Sequence, residues 1–345
     1  MIDGAARIPG SRPGATRRLI WAIPASVLAL ILALLSTGAA DPRALVDPGA
    51  LVRWGLPIVT VVVRAAGALT IGAFAVAALI LRGPTRSPRP TEGDDEARVA
   101  SSSSPGTGWS TAVRLGQGAA VVWVLGQLAY VVFTYAAVWG RSLSEPTFGD
   151  ELLFFLSRTE LGQTLIAETV LAVIVSVLAV ATGGMVTAMW TAVMGALALA
   201  PVALTGHAAG AANHNLAVSS MWLHLVPLGL WAGGLAAMVA VYRRLGPELE
   251  RAAARYSALA LWCFVLVGGS GVFASVIRLN GPADLVLTPW GRLLLVKILL
   301  WALLGWIGWD HRRRTIPQLA ERPGLFLRLA AVEVAVMGAV MGVAV

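Results

Sequence analysis

A chain of 345 residues with 57% hydrophobic and only 13% charged side chains exposes too little charge to be a soluble protein. Its mean hydropathy is +0.77, and several apolar runs are longer than the roughly 18 residues that a membrane-crossing helix needs. The net charge of +8 sits in short arginine clusters between these runs, which is typical of membrane topology and argues against a nucleic-acid partner. Because backbone in lipid must satisfy its own hydrogen bonds, we predict an all-α fold, a polytopic transmembrane helical bundle.

The first third of the chain is predicted to hold two leading transmembrane helices within residues 19–81. They follow a disordered basic N-terminus, residues 1–18, which is rich in proline, glycine and arginine. The first apolar run, about 19–39, is interpreted as a retained helix, although its basic start and small-residue end also fit a cleaved signal peptide. The second run covers about 55–81. Residues 82–113 are rich in proline, serine and acidic residues without apolar periodicity, which predicts a flexible cytoplasmic linker.

The remaining apolar runs lie within residues 114–345 and predict seven further spans, which makes about nine in all. They cover residues 114–139, 163–182, 185–206, 217–242, 254–277, 291–309 and 326–345. With the N-terminus inside, the segments facing the cytoplasm contain 18 arginines and the outer segments contain six. The positive-inside rule therefore predicts a cytoplasmic-membrane protein with its N-terminus inside and the link between His207 and His214 outside.

Three of the four histidines lie close together in the sequence, at the predicted outer surface. His207 ends one apolar run, His214 lies in the link that follows, and His224 lies about two turns into the next run. Met221, three residues before His224, projects from the same helix face. Imidazole nitrogen binds copper, zinc and iron, while thioether sulfur selects Cu(I). The pattern predicts a metal site, and the alternative is polar loop residues with one packing histidine.

The last predicted span has a regular stripe of candidate residues. Glu333, Met337 and Met341 follow one another at intervals of four and share one helix face. Met337 and Met341 lie near the outer end and are added to the candidate metal ligands. Glu333 lies deeper, so the stripe is either an ion path or ordinary core packing. His311, in Asp-His-Arg-Arg-Arg, is assigned to a solvated basic cluster.

Charged residues inside membrane spans are costly and mark paired or functional positions. Arg64, Glu168 and Lys297 are predicted to lie at about the depth of His224. Two interpretations are open: a shared polar cavity that opens outward, or a structural network of ion pairs. With Glu333, these residues make up a candidate polar intramembrane path.

Motifs of the common enzyme classes are missing from the sequence. It has no Gly-Lys-Ser/Thr phosphate loop, no nucleophile elbow and no His-x-x-x-His metalloprotease spacing. A single cysteine, Cys263, excludes an intrachain disulfide. We therefore expect no enzymatic activity.

Several of these motifs occur together in one known family. The helix ending Thr-Gly-His207, the link with His214, the Trp-Leu-His224 run, Leu-Trp-Ala-Gly-Gly at 230–234 and Pro-Trp-Gly-Arg-Leu-Leu-Leu-Val-Lys at 289–297 resemble the copper resistance protein D (CopD) family. The likeness covers roughly residues 114–345, which would form a CopD-like bundle. It implies an inner-membrane protein of copper uptake or homeostasis with a periplasmic CopC-like copper-binding partner. The two leading helices resemble actinobacterial versions, which are often fused to a CtaG-type oxidase assembly protein.

The sequence thus favours copper transport, in the direction of uptake, across a lipid membrane through an outward-facing His/Met site. One alternative is a membrane electron-transfer protein with haem b held by histidines of adjacent helices. His207 and His224 differ in depth by roughly 10 Å, which argues against both holding one haem. Another alternative is a non-transporting partner that delivers copper during cytochrome oxidase assembly.

Overall fold

The computed structural model describes residues 47–81, 83, 106–204, 214–276, 279, 281–319, 321–322 and 324–343. All regular secondary structure in these ranges is helical, which confirms the predicted all-α bundle. The predicted first span at 19–39 and most of the predicted linker lie outside the described residues.

The helices follow one another with short connections. In chain order they are α1 (Ala50–Ala75), α2 (Thr107–Trp139), α3 (Phe148–Arg158), α4 (Glu160–Val180), α5 (Met185–Leu197), α6 (Ala200–Leu204), α7 (His214–Leu228), α8 (Gly234–Leu245), α9 (Leu249–Val276), α10 (Asp284–Leu287), α11 (Pro289–Asp310) and α12 (Gly324–Val343). Three π-helical segments extend or join them: Val76–Ile80, Gly229–Gly233 and His311–Thr315. Short 3₁₀ turns at Gly246–Glu248 and Ile316–Gln318 complete the chain path.

Six helical stretches among the described residues are long and apolar enough to cross a membrane. They are Ala50–Ile80, Thr107–Trp139, Glu160–Val180, Met185–Ala203, Ser219–Val276 and Trp290–Gln318. The fifth is 58 residues long, which suffices for two crossings at about 1.5 Å per residue. It is interrupted at Gly246, whose φ of 48° ends α8. The protein is therefore a multi-pass membrane protein, and the count of nine spans stays a prediction.

Two local features differ from the sequence-based expectation. The amphipathic helix α3 was not predicted, because 11 residues with two acidic side chains in the first turn do not form a membrane span. The predicted span at 185–206 is divided into α5 and α6 at residues 198–199. Pro201 lies in the first turn of α6, where the missing N–H costs no helical hydrogen bond.

Helix α1 is central to the bundle. It packs against α2, α5, α8 and the π-helical segment Gly229–Gly233. At this crossing the two backbones touch: a Cβ on Gly233 would lie 1.8 Å from the carbonyl oxygen of Ala68, and a Cβ on Gly72 would lie 2.1 Å from the carbonyl carbon of Gly233. We call this the glycine crossing. Only glycine permits so close an approach of two membrane helices.

Helix α3 docks on the end of α2 through one carboxylate. Glu151 accepts hydrogen bonds from the Tyr135 hydroxyl at 2.9 Å and from the Thr147 hydroxyl at 2.9 Å, and pairs with Arg141 at 3.0 Å. The Tyr135 ring also packs against Phe155, with 5.4 Å between ring centroids. An exposed short helix is thereby held to the bundle by aromatic packing and by a carboxylate that has to be charged.

The docking of α3 is expected to depend on pH. The Tyr135 hydroxyl, followed by that of Thr147, lowers the pKa of the Glu151 carboxyl below its ordinary value of 4.5. A carboxyl whose pKa is lower in the folded state stabilises that state above its unfolded pKa, and this stability is lost as the pH falls through the folded pKa. We expect the hydrogen-exchange protection of the α3 amides, corrected for intrinsic rates, to fall below about pH 4.5.

The matched control is Glu151→Gln, which removes the titrating group and keeps the shape of the side chain. In this variant the protection of α3 should already be reduced at neutral pH and should show no carboxylate step on acidification. Parallel loss of protection in both proteins would contradict the role of Glu151.

Candidate functional site

His224 is the best-defined member of the predicted histidine site. Its Nδ1 lies 3.0 Å from the Ser270 hydroxyl oxygen, which joins α7 to α9. The Ser270 hydroxyl donates its proton to the carbonyl oxygen of Leu266 at 2.7 Å. With the serine proton on this carbonyl, the serine oxygen is free to accept, and we assign the tautomer in which His224 Nδ1–H donates to it. In a neutral ring this leaves the lone pair on Nε2, the arrangement found in histidines that bind metals.

The surroundings of His224 come from three helices. Gly271 of α9 offers its open face to the ring, with 3.9 Å between its Cβ position and His224 Cε1. Lys297 of α11 lies within electrostatic range of the ring. Sequence reasoning placed Lys297 at this depth but missed Ser270, although a hydroxyl inside an apolar span is a signal of a hydrogen-bonding role. The structure thus brings His224 into contact with Ser270 and leaves Lys297 within electrostatic range of the ring.

The other predicted ligands are defined to different extents. Met221 is half-buried, one turn before His224 on α7, and Met337 is buried in α12. His214 is the first residue of α7, but its side chain and that of Met341 lie outside the described part, as does all of His207. Among the side chains that the structure describes, no three of His, Cys, Asp or Glu form a metal-binding group. The convergence of these residues stays a prediction.

A second polar cluster lies between α1, α2 and α4. Glu168 is buried, and its Oε2 accepts a hydrogen bond of 2.9 Å from Nε2 of the buried Gln127. Its Oε1 has no partner within the described part of the chain. Arg64 is close enough to Glu168 to attract its charge. The electrostatic interactions link Arg64 with Glu168 and Lys297 with His224, and the shared cavity stays a prediction.

Sequence reasoning had not singled out Gln127. An amide in the middle of an apolar span is the signal that could have identified it, since such a group needs a polar partner within the bundle. Its partner could not be found from sequence, because Gln127 and Glu168 belong to different helices.

A third polar cluster joins α12 to the segment that follows α11. The side chain of Glu333 is buried, and its Oε1 lies 3.0 Å from Nδ1 of His311. The expectation that His311 belongs to a solvated basic cluster was wrong. The chain stays helical through His311–Thr315, which turns His311 toward α12 while the three following arginines are exposed. Met337, one turn beyond Glu333, is buried in the adjoining apolar cluster.

Two family models match successive parts of the chain. A family model described as the copper resistance protein D-like N-terminal domain matches residues 50–215, and one described as copper resistance protein D matches residues 250–345. No curated protein and no solved structure matches the chain. The N-terminal match begins at α1, earlier than the likeness noted from the motifs. Together the two matches cover most of the described helices, and the chain belongs to the copper resistance protein D family.

Proposed function

We propose that this protein carries copper across the cytoplasmic membrane, in the direction of uptake, and is not an enzyme. The ion first binds an outer site built from His207, His214 and His224. The observation that supports this most directly is the Ser270–His224 contact, which holds the ring at Nδ1 and, in the assigned tautomer, directs the lone pair of Nε2 to a metal. Family membership supports copper as the metal.

Sulfur ligands complete the proposed outer site. Met221 shares a helix face with His224, and Met337 and Met341 lie one turn apart on α12. Thioether together with imidazole favours Cu(I) over harder cations. A site of neutral ligands also lets the ion leave again, as transport requires.

The proposed path inward passes the level of Arg64, Glu168 and Lys297 and continues toward Glu333. The Oε1 of the buried Glu168, which has no partner among the described residues, supplies an oxygen acceptor within the bundle. Arg64 and Lys297 are cations that repel a copper ion, so the carboxylates are the attractive points on this path.

The same proposal assigns the lipid-facing surface, the orientation in the membrane and the partner proteins. The exposed apolar side chains of the spanning helices contact lipid. The clustered arginines, including the exposed Arg243, Arg244 and Arg312, mark the cytoplasmic side. A CopC-like periplasmic protein would deliver copper to the outer site, and a CtaG-type oxidase assembly protein is a second candidate partner.

Elemental analysis of the detergent-purified protein tests the proposal against a haem-binding electron-transfer protein. We expect about one copper or more per chain and no stoichiometric iron. Stoichiometric iron with a haem absorption spectrum would overturn the copper site and favour haem b. Absence of both metals after incubation with Cu(I) would remove the support for the outer histidine site.

Ser270 provides a second test, because it contacts the proposed ligand and not the metal. Ser270→Ala removes the acceptor that orients His224, and loss of such a partner lowers metal affinity by about 10- to 100-fold. The matched control is Ser275→Ala on the same helix, since the described contact of the Ser275 hydroxyl is with the backbone of its own helix, at the carbonyl oxygen of Gly271. Competition with a colorimetric Cu(I) chelator measures both affinities. Equal affinities in the two variants would contradict the positioning role.

A further inference from the structure

The imidazole of His311 is held at one nitrogen, and among the described residues the other nitrogen has no partner. Its Nδ1 lies 3.0 Å from Glu333 Oε1, and the two side chains are only 11% and 8% exposed. Its Nε2 is buried and has no hydrogen-bond partner within the described part of the chain. A buried polar atom without a partner is rare and calls for an explanation, such as a bound ion.

The partner at Nδ1 determines which nitrogen carries the proton. A carboxylate only accepts, so the hydrogen bond places the proton on His311 Nδ1. In the neutral ring the Nε2 lone pair is then directed away from Glu333 into the protein. A carboxylate that holds the remote N–H in this way orients most metal-binding histidines.

The fold orients His311 specifically. The π-helical segment His311–Thr315 continues α11, and π-helical turns occur frequently at functional sites. The His311 ring stacks on Phe326 of α12, with 6.3 Å between centroids and 24° between planes. The Phe326 ring also contacts Tyr242, and the buried Met238 lies one turn before Tyr242 on α8. A thioether from a neighbouring helix is therefore the candidate sulfur ligand for His311.

The charge of this cluster suits a monovalent ion. Glu333 supplies one negative charge, and the neutral thioether adds none. Tyr256 lies within electrostatic range of Glu333, but its hydroxyl donates to the carbonyl oxygen of Trp231 at 2.5 Å. One carboxylate balances Cu(I), whereas a divalent ion would leave a net positive charge in a buried site. Imidazole with thioether sulfur also selects Cu(I) among common metals.

This cluster lies far from His224. Phe326 contacts Tyr242, with 6.3 Å between ring centroids, and Tyr242 follows His224 along α7 and α8. A separation of 18 residues corresponds to roughly 27 Å of helix. The two histidines therefore belong to opposite ends of the bundle, with His311 at the end that carries the exposed arginines.

We propose that His311, oriented by Glu333, is a second Cu(I)-binding site at the arginine-rich end of the bundle, with Met238 as the sulfur donor. The choice of copper as the metal rests on the proposed function. The geometry of the site rests on the His311–Glu333 contact and is independent of the outer histidines. It gives the transported ion a place to bind before release.

The test is an anaerobic Cu(I) titration of the full-length protein in detergent against a colorimetric chelator. His224→Ala removes the proposed outer ligand, and we expect this variant to retain one Cu(I). Adding His311→Ala should remove that ion, and adding Glu333→Gln should weaken its binding by about 10- to 100-fold. Asp310→Asn is the matched control, because Asp310 pairs with the exposed Arg314 and not with His311.

A second measurement keeps the test valid if His311→Ala does not fold. In protein labelled with ¹⁵N-histidine, Cu(I) should shift the Nε2 resonance of His311 and leave its Nδ1 proton in place. X-ray absorption at the copper edge should show sulfur scattering in His224→Ala that is lost when Met238→Leu is added.

The inner site is overturned if His224→Ala binds no Cu(I), or if the His311 resonance does not respond to the ion. Loss of the outer site has a different signature. In that case His224→Ala would match the wild-type protein in Cu(I) stoichiometry and uptake, while His311→Ala would still remove an ion.

Discussion

Replacing Gly233 with alanine is expected to destabilise the folded bundle by about 3 kcal/mol, at the upper end of the cost of overpacking. The added Cβ would lie 1.8 Å from the carbonyl oxygen of Ala68. Both groups are backbone or directly attached to it, so neither can rotate away, and α1 has to separate from the π-helical segment Gly229–Gly233. Thermal unfolding in detergent, followed by circular dichroism, measures the effect.

Gly269→Ala is the matched control, since a Cβ at Gly269 meets nothing within 4 Å. The free energy of unfolding of this variant should change by no more than about 1 kcal/mol, and it should increase because alanine has a higher helix propensity than glycine. Gly72→Ala should destabilise as Gly233→Ala does, and the double variant should be less destabilised than the sum, because both changes separate the same crossing. Equal unfolding temperatures for Gly233→Ala and Gly269→Ala would contradict the close contact.

Simultaneous replacement of His207 and His224 by alanine is expected to abolish copper accumulation that depends on this protein. The double variant removes one nitrogen donor from each side of the outer link, which leaves too few ligands to hold the ion. Cellular copper, measured by mass spectrometry in cells that express equal amounts of protein, should fall to the level of cells without it. Unchanged accumulation would exclude this site.

Leu223→Ala is the control for the double replacement. Leu223 precedes His224 on α7 and is 48% exposed, so its truncation removes apolar side-chain atoms from the same helix without removing a metal donor. Accumulation should match the wild-type protein. If the double variant instead loses cytochrome oxidase activity while cellular copper stays constant, the protein is a delivery partner and not a transporter.

Much of the fold could be predicted from the sequence because each membrane-spanning helix needs a long apolar run, which is visible in the sequence. Predicted spans such as 254–277 and 291–309 correspond closely to α9 and α11. Helix α3 was missed because its stability comes from contacts with α2, including the Tyr135–Glu151 hydrogen bond, and not from its own apolar length.

The candidate site was predictable only in part. Histidines, methionines and charges stand out in an apolar sequence, so His224, Glu168 and Glu333 were identified. Their partners were not, because Ser270, Gln127 and His311 come from other helices. Which helices become neighbours depends on packing between segments that are far apart in the sequence, and the sequence of one helix does not show it. His311 shows this most clearly, since a polar sequence context suggested solvent where the π-helical turn places a buried His311–Glu333 hydrogen bond.

The glycine crossing also has a consequence for how the protein is made. Gly72 enters the membrane about 160 residues before its partner Gly233 is synthesised, a delay on the order of ten seconds at typical translation rates. Until then the Gly72 face of α1 has no final neighbour, and it must rest against lipid or against other helices. The N-terminal family domain therefore reaches its mature packing only after synthesis has passed α8, which makes late assembly a built-in property of this chain.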